Sequence, residues 1–93
     1  MYYTYVLYSE KDAHWYTGMT RDLRARWNAH TSGAVWATRS RRPLQLVYYE
    51  ACRCRDDAVR RERYLKTGRG KRYLKQRLAV ELAAVGGNKL ERH

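Results

Sequence analysis

Phenylalanine is absent from the 93 residues of this chain, and proline occurs once, at Pro43. The aromatic residues are nine tyrosines and three tryptophans, so an aromatic core must bury hydroxyl and indole N–H groups that need hydrogen-bond partners. No apolar run reaches the roughly 18 residues needed to span a bilayer, and the first residues are strand-like rather than a basic leader. We therefore expect a cytoplasmic protein without a membrane-spanning segment.

The two cysteines, Cys52 and Cys54, are one residue apart and have no cysteine or histidine partners at the spacing of a zinc site. A disulfide framework and a cysteine-based metal centre are therefore excluded, and we expect reduced thiols. The chain is also short, because 93 residues fall below the roughly 100–150 of a usual domain. That length leaves room for one core and one functional site.

Acidic residues are scarce as well. Nine of them accompany 20 lysines and arginines, which gives a net charge of +11 and points to a polyanionic partner, either nucleic acid or an acidic membrane surface. The excess is concentrated between Arg53 and Arg77, where eleven basic residues stand beside three acidic ones. A solvated surface that keeps the protein soluble is the alternative explanation of this block.

Aromatic and β-branched residues predict three strands, at 2–8, 15–19 and 44–50. The polar stretch between the first two indicates a hairpin. The third is apolar on both faces, which is typical of a strand covered on both sides. We therefore predict a small three-stranded antiparallel sheet.

Three helices are predicted around this sheet. The first follows Gly18, with Thr20 or Asp22 as its cap. The second is capped by Asp56, and after the glycine-rich break TGRG a third helix lies near 71–84.

The predicted fold class is thus α/β of the α+β type, with the order β-β-α-β-α-α. Residues 34–43 lack periodicity and are expected to form a basic loop. We predict one domain at 1–84 and a flexible polar tail at 85–93.

Glu62 stands at the centre of the basic helical sequence RRERYLK. Cleavage of a phosphodiester needs a cation to neutralise developing charge, a means of activating water and donors that hold the phosphate. From composition alone, Glu62 is either the partner in an intrahelical ion pair, the commoner arrangement, or the anchor of a Mg²⁺ ion.

The spacing of several polar residues is more specific. Tyr5 is followed eleven residues later by Tyr16-Thr17-Gly18, then by Arg26 and, one helical turn beyond, by His30. With Glu62 on a later helix, this series resembles the GIY-YIG nuclease family, in which two signature triplets lie on a hairpin and an arginine and a glutamate on two helices complete the site.

The resemblance extends from about Tyr3 to Leu78 and is closest to the small stand-alone bacterial members. Its most specific segments are YTGMTRDLRARWNAH, RPLQLVYYE and DAVRRERYLK. The first triplet lacks its glycine and isoleucine, so Tyr5 alone carries that part of the comparison. The family's late asparagine has no counterpart except Asn88, which lies in the tail.

The resemblance implies a catalytic set of Tyr5, Tyr16, Arg26, His30 and Glu62. Tyr5 would hydrogen-bond or deprotonate the attacking water, while Tyr16 positions the phosphate. Arg26 would stabilise the transition state through its permanently charged, two-pronged donor, and His30 would orient the phosphate or accept a proton. Glu62 would be the only protein carboxylate on a single Mg²⁺ or Mn²⁺ ion.

Each of these residues also has an ordinary structural explanation. The tyrosines suit a core with satisfied hydroxyls, Arg26 suits a solvated helix surface, and His30 suits a cap or packing position. Gly18 is expected to have a structural role, either in a close approach or an unusual backbone angle, with a plain turn as the alternative.

Seven basic residues are candidates for phosphate contacts that position a strand without reading its sequence: Arg39, Arg41, Arg60, Arg61, Arg69, Lys71 and Arg72.

The resulting hypothesis is a metal-dependent endonuclease that cuts DNA by a one-metal mechanism in repair or processing. The alternative is a catalytically silent accessory module that binds RNA or branched DNA. A ribosomal-type structural protein fits the charge but does not account for the spacings, and Trp36 or the third helix could support a homodimer or a partner protein.

Overall fold

The computed structural model describes residues 1–86. The described chain forms three strands and five helical segments: β1 (Tyr2–Ser9), β2 (Trp15–Thr20), α1 (Leu23–Ser32), α2 (Trp36–Arg39), β3 (Leu44–Cys52), α3 (Arg55–Leu65), α4 (Gly68–Arg77) and α5 (Ala79–Gly86). The predicted α+β class and three-stranded antiparallel sheet are confirmed. None of the helices in this range is both long and apolar enough to cross a bilayer.

The sheet has the order β2-β1-β3, so β1 is its central strand and pairs antiparallel with both neighbours. Because successive side chains alternate between the faces of a strand, β1 supplies two separate core clusters. Tyr5 and Leu7 pack with Leu44 on one face. Val6 packs with side chains of α3 and α4 on the other face.

The prediction that the third strand is covered on both sides is wrong. β3 has β1 as its sheet neighbour and lies at an edge, with most of its side chains half-buried or exposed. Tyr49, for example, is exposed. The apolar composition of a strand indicates which side chains could be buried. The position of the strand in the sheet determines which of them are covered.

The cap positions of α1 and α3 differ in their side-chain bonding. At the start of α1, Asp22 Oδ1 accepts a hydrogen bond from the Ala25 N–H at 3.0 Å, so Asp22 is the cap. At the start of α3 the cap position is Cys54, which makes no side-chain capping bond. The predicted cap Asp56 lies instead in the first turn, where its negative charge favours the helix N-terminus.

Two other predictions of local structure are wrong. Residues 34–43 contain the short helix α2, and the single helix predicted at 71–84 is divided into α4 and α5, with Leu78 as the C-cap of α4. The TGRG sequence was predicted to precede the third helix, but most of it belongs to α4. This helix begins at Gly68, and Thr67 caps it by accepting the Gly70 N–H at 3.1 Å. α5 ends at Gly86, and the predicted tail stays a prediction because 87–93 lie outside the described residues.

Gly70 is required by close packing between α4 and α3. A Cβ at this position would collide with the backbone of α3, at the Tyr64 carbonyl and the Leu65 Cα. The same helix offers a contrasting glycine, since a Cβ at Gly68 would meet only the guanidinium of Arg72, at an ordinary 3.8 Å.

We therefore expect Gly70→Ala to lower the free energy of unfolding by about 2 kcal/mol or more, because the colliding atoms are backbone and cannot rotate away. Gly68→Ala should change it by no more than about 0.5 kcal/mol. Urea unfolding of the two variants and the wild type measures both effects. Equal stability of the two variants would contradict this account of the α3–α4 contact.

Candidate active site

The hydroxyl of Tyr5 is the point where the hairpin and α1 meet. Tyr5 is only 1% exposed, and its oxygen lies 2.8 Å from His30 Nε2 and accepts a hydrogen bond from Arg26 Nε at 3.3 Å. Tyr16 completes the group, with ring centroids 6.4 Å from Tyr5 and 5.3 Å from His30. These four residues are called the tyrosine cluster below.

Gly18 makes room for this cluster. In the β1–β2 ladder it is the direct partner of Tyr5, while Tyr16 pairs with Leu7 and so lies diagonally from Tyr5. A Cβ at Gly18 would stand 2.5 Å from the Tyr5 hydroxyl and 2.6 Å from its Cζ. The phenol therefore lies against the strand at a position that only glycine leaves open.

One arrangement of protons satisfies all of these hydrogen bonds. Arg26 is a donor only, so it occupies a lone pair of the Tyr5 oxygen. The phenolic proton then goes to His30 Nε2, the acceptor within reach. His30 consequently carries its own proton on Nδ1, which donates to Thr38 Oγ1 at 2.7 Å.

Burial and charge keep this chain of groups neutral apart from Arg26. Burial raises the pKa of Tyr5, an effect that the hydrogen bond from Arg26 only partly opposes. Burial, together with the positive charge of Arg26, lowers the pKa of His30 to about 4. The hydrogen bond to Tyr5 raises the pKa of Arg26, so the cluster presents one permanent cation.

Tyr16 and Arg26 are half-buried, whereas Tyr5 and His30 are buried. The accessible edge of the cluster therefore consists of a phenol and a guanidinium. Both groups donate hydrogen bonds, which suits them to the oxygens of a phosphate.

Glu62 lies on α3, and its negative charge is among the causes that raise the pKa of Tyr5. Its Oε2 pairs with Lys66 Nζ at 3.2 Å, so the intrahelical ion pair is present. No group of three or more histidine, cysteine, aspartate or glutamate side chains converges within residues 1–86. A single carboxylate suits Mg²⁺, which keeps several of its waters.

A cavity of about 230 Å³ has one residue of the cluster, Tyr16, in its lining. The lining also includes two lysines, Lys66 from the end of α3 and Lys71 from α4. Lysine ammonium groups bind phosphate as point charges. Lys71 was among the predicted phosphate contacts, whereas Lys66 was not, although it belongs to the same basic block.

Two of the predicted phosphate contacts are engaged in the fold. The guanidinium of Arg41 binds the Asp12 carboxylate at 2.6 Å. Arg61 binds Glu50 at 2.7 Å and lies over the ring of Tyr73 at 4.8 Å from its centroid. These two ion pairs connect surface elements of the fold, and the carboxylates partly compensate the charge of both arginines. Their phosphate contacts stay a prediction.

The remaining predicted contacts are all exposed and lie on helices: Arg39 on α2, Arg60 on α3, and Arg69, Lys71 and Arg72 on α4. Arg60 faces Asp57 at 3.8 Å with most of its side chain in solvent, an arrangement that contributes little to stability. These side chains are accessible to a ligand.

Thr38 is the residue that the sequence did not reveal. It is 0% exposed, lies on the unpredicted helix α2, and its hydroxyl is the partner of His30 Nδ1. In the proton arrangement described above, Thr38 accepts the Nδ1–H of His30 while Nε2 faces Tyr5. A single threonine in an aperiodic segment carries no signal of such a role.

Thr38→Val tests this hydrogen bond. The variant leaves the Nδ1–H of His30 unpaired in the core, and we expect a loss of about 1–3 kcal/mol in the free energy of unfolding. Thr38→Ser keeps the hydroxyl and loses one methyl group, at a cost of about 1 kcal/mol or less. If urea unfolding shows that Thr38→Ser is less stable than Thr38→Val, packing of the methyl group outweighs the hydrogen bond.

The lowered pKa of His30 predicts a pH dependence. The folded state holds His30 neutral down to about pH 4, while the unfolded chain takes up a proton below its ordinary pKa of about 6.5. Stability should therefore fall as the pH drops from about 6.5 to 4, by up to about 3 kcal/mol. Asp12, whose pKa is held at about 2 by Arg41, adds a further loss below about pH 4.

The control is His30→Gln, whose side chain does not titrate. Its free energy of unfolding, measured by urea titration at each pH, should stay nearly level until about pH 4 and then fall through the contribution of Asp12. Equal slopes for wild type and variant between pH 6.5 and 4 would refute the assignment to His30.

Comparisons with known proteins show which proteins this chain resembles. The UPF0213 protein CPE1444 of Clostridium perfringens is 42% identical over 67 residues, which cover 71% of each chain. The UPF0213 protein DP2720 of Desulfotalea psychrophila is 49% identical over 53 residues, or 55% of this chain and about half (48%) of that protein's length. The NMR structure of the UPF0213 protein BH0048 from Bacillus halodurans is similar at a TM-score of 0.50 and 38% identity, covering 80% of this chain and 82% of the other.

The profile described as the GIY-YIG catalytic domain matches residues 1–77. That range contains the whole tyrosine cluster and Glu62. Nucleases of this family act on nucleic acid and generally use divalent metal ions. The chain belongs to the GIY-YIG family.

Proposed function

We propose that this protein is an endonuclease that hydrolyses DNA phosphodiester bonds with one Mg²⁺ or Mn²⁺ ion, in DNA repair or processing. One observation carries the proposal. Arg26 and His30 converge on the hydroxyl of a single buried tyrosine, and the negative charge of Glu62, on a different helix, acts on the pKa of the same group. The basic surface supplies affinity for the polyanion, and we place the protein in the cytoplasm.

Arg26 stabilises the charge that develops on the phosphate. Its Nε is held by the Tyr5 oxygen, which orients the guanidinium and leaves its terminal amino groups for phosphate oxygens. Tyr16 contributes a second donor at the same edge. Such preorganised donors favour the transition state because they need no reorganisation when charge appears.

Tyr5 and His30 move the proton. As the attacking water gives a proton to the Tyr5 oxygen, the phenolic proton passes to His30 Nε2, which lies 2.8 Å away. The resulting imidazolium keeps its Nδ1–H on Thr38. The low pKa of His30 opposes this transfer in the free protein, so the negative phosphate has to be bound before the transfer is favourable.

Glu62 is the residue that would hold the metal ion. Lys66 pairs with its Oε2, which leaves Oε1 as an oxygen ligand, and waters and phosphate oxygens would complete the shell. When bound, the ion neutralises phosphate charge and lowers the pKa of a coordinated water. With one protein carboxylate, metal binding in the absence of DNA should be weak.

The alternative function is a nucleic-acid-binding module without turnover. It is favoured by the Glu62–Lys66 ion pair, which satisfies the carboxylate without a metal, and by the burial of Tyr5. In this case the same basic surface binds DNA or RNA as an accessory to a partner protein or as a homodimer.

The test is cleavage of labelled single-stranded, duplex and branched DNA with Mg²⁺ or Mn²⁺, with EDTA as the metal-free control. Glu62→Gln removes the metal ligand and Arg26→Lys removes the two-pronged donor, and each should slow cleavage by about 10²–10³-fold. Glu81→Gln, the same exchange at an exposed position on α5, should cleave like the wild type.

Binding without cutting on every substrate, with equal affinity in wild type and Glu62→Gln, would favour the accessory module. Cutting that persists in EDTA would contradict the one-metal mechanism.

A further inference from the structure

Trp36 opens the short helix α2 with its side chain 83% exposed. It is the most exposed of the large aromatic side chains in the described part of the chain. A single apolar residue at the surface is unremarkable in itself. The surroundings of Trp36 give it a more specific meaning.

A second cavity, of about 470 Å³, lies beside α2. Three basic residues, Lys11, Arg39 and Arg42, line it together with Thr31, Ser40, Pro43 and Leu44. No acidic residue is among these lining residues. The cavity is therefore electropositive and has the polarity to receive an anion.

The two arginines of this cavity differ from Arg41, which stands between them in sequence. Arg41 is paired with a carboxylate. Arg39 donates instead to the carbonyl of Gly33 at 3.1 Å, and Arg42 donates to the carbonyls of Arg39 and Thr31 at 3.0 and 3.2 Å. Carbonyl oxygens orient a guanidinium but leave its charge uncompensated, so both groups are preorganised for an anionic ligand.

The position of α2 connects this cavity with the tyrosine cluster. Trp36 and Arg39 are three residues apart on one helical face, while Thr38 points inward and bonds His30. The inner side of α2 thus supports the cluster, and its outer side offers an aromatic face beside a cationic cavity.

We propose that α2 and the adjoining cavity form a binding site for one unpaired nucleotide, with its base stacked on Trp36 and its phosphate held by Arg39, Arg42 and Lys11. An aromatic platform needs a base with a free face, which a nucleotide inside a duplex does not offer. This inference rests on the proposed nucleic-acid function, and it adds that the substrate carries at least one unpaired nucleotide.

A second copy of the chain is a poorer occupant of the same surface. Each copy carries a net charge of +11, and a contact centred on Trp36 would bring the two cationic cavities together. Like charges in such an interface oppose association, whereas a polyanion complements them.

The experiment measures the affinity of the full chain for a fluorescent oligothymidine and for a blunt duplex of equal length, by anisotropy in EDTA at several salt concentrations. EDTA separates binding from cleavage. Trp36→Ala should weaken binding of the single strand by about 5- to 100-fold, while the slope of log affinity against log salt stays unchanged. Its affinity for the duplex should remain that of the wild type.

Charge variants test the cavity. Arg39→Gln and Lys11→Gln should each reduce the magnitude of the salt slope for the single strand by about 0.7, as expected for the loss of one phosphate contact. Trp36→Phe should restore most of the affinity that Trp36→Ala loses. Tyr49→Ala, which removes another exposed aromatic side chain on β3, should have no effect.

Equal single-strand affinity of Trp36→Ala and wild type would overturn this inference and leave the proposed nuclease intact. So would an equal loss for single strand and duplex, or a change of oligomeric state on sedimentation without a change of affinity. Failure of the wild type to bind either DNA would overturn the proposed function and this inference together.

Discussion

The hydroxyl of Tyr5 ties the hairpin to the first helix. Arg26 and His30, one helical turn apart on α1, both bond this oxygen, so the rotation of α1 against the sheet is fixed at a single point. The tyrosine belongs to the central strand, which is buried on both faces. Any other orientation of α1 would leave a buried polar group without a partner, at a cost that core packing does not recover.

The constraint extends from this oxygen through His30 to Thr38 and hence to α2. A helix of four residues has little stability of its own, and the bond from its buried threonine holds it in place. The outward direction of Trp36 and Arg39 follows from that attachment. Catalytic geometry and the surface beside it are thus parts of one hydrogen-bonded arrangement.

Local patterns in the sequence predicted the hairpin and the start of α1, whereas the resemblance to the GIY-YIG family implied the residues that form the tyrosine cluster. The alternation of side chains along a strand and the one-turn interval between Arg26 and His30 follow from residue spacing, so the sequence alone is enough to predict them. The edge position of β3 could not be predicted, because sheet order is a tertiary property. Thr38 was missed for the same reason, since its value lies in a contact with a residue eight positions away in an aperiodic segment.

The sequence also could not predict which basic residues are paired with carboxylates. Arg39, Arg41 and Arg42 are alike in sequence, yet one is neutralised by Asp12 and two are held by backbone carbonyls. Net charge therefore predicted the class of partner but not which cations remain available to it. Only the positions of the acidic residues in the described part of the fold distinguish arginines that are paired with a carboxylate from those that are not.

The contact between the Tyr5 ring and Gly18 also has an evolutionary consequence. An aromatic ring at position 5 and a side chain at position 18 exclude each other, because a Cβ would lie within 2.6 Å of two ring-end atoms. A lineage that replaces the glycine first loses the place of the phenol, and one that replaces the tyrosine first leaves a void against the strand. The residue at each of these two positions therefore limits which substitutions the other can accept.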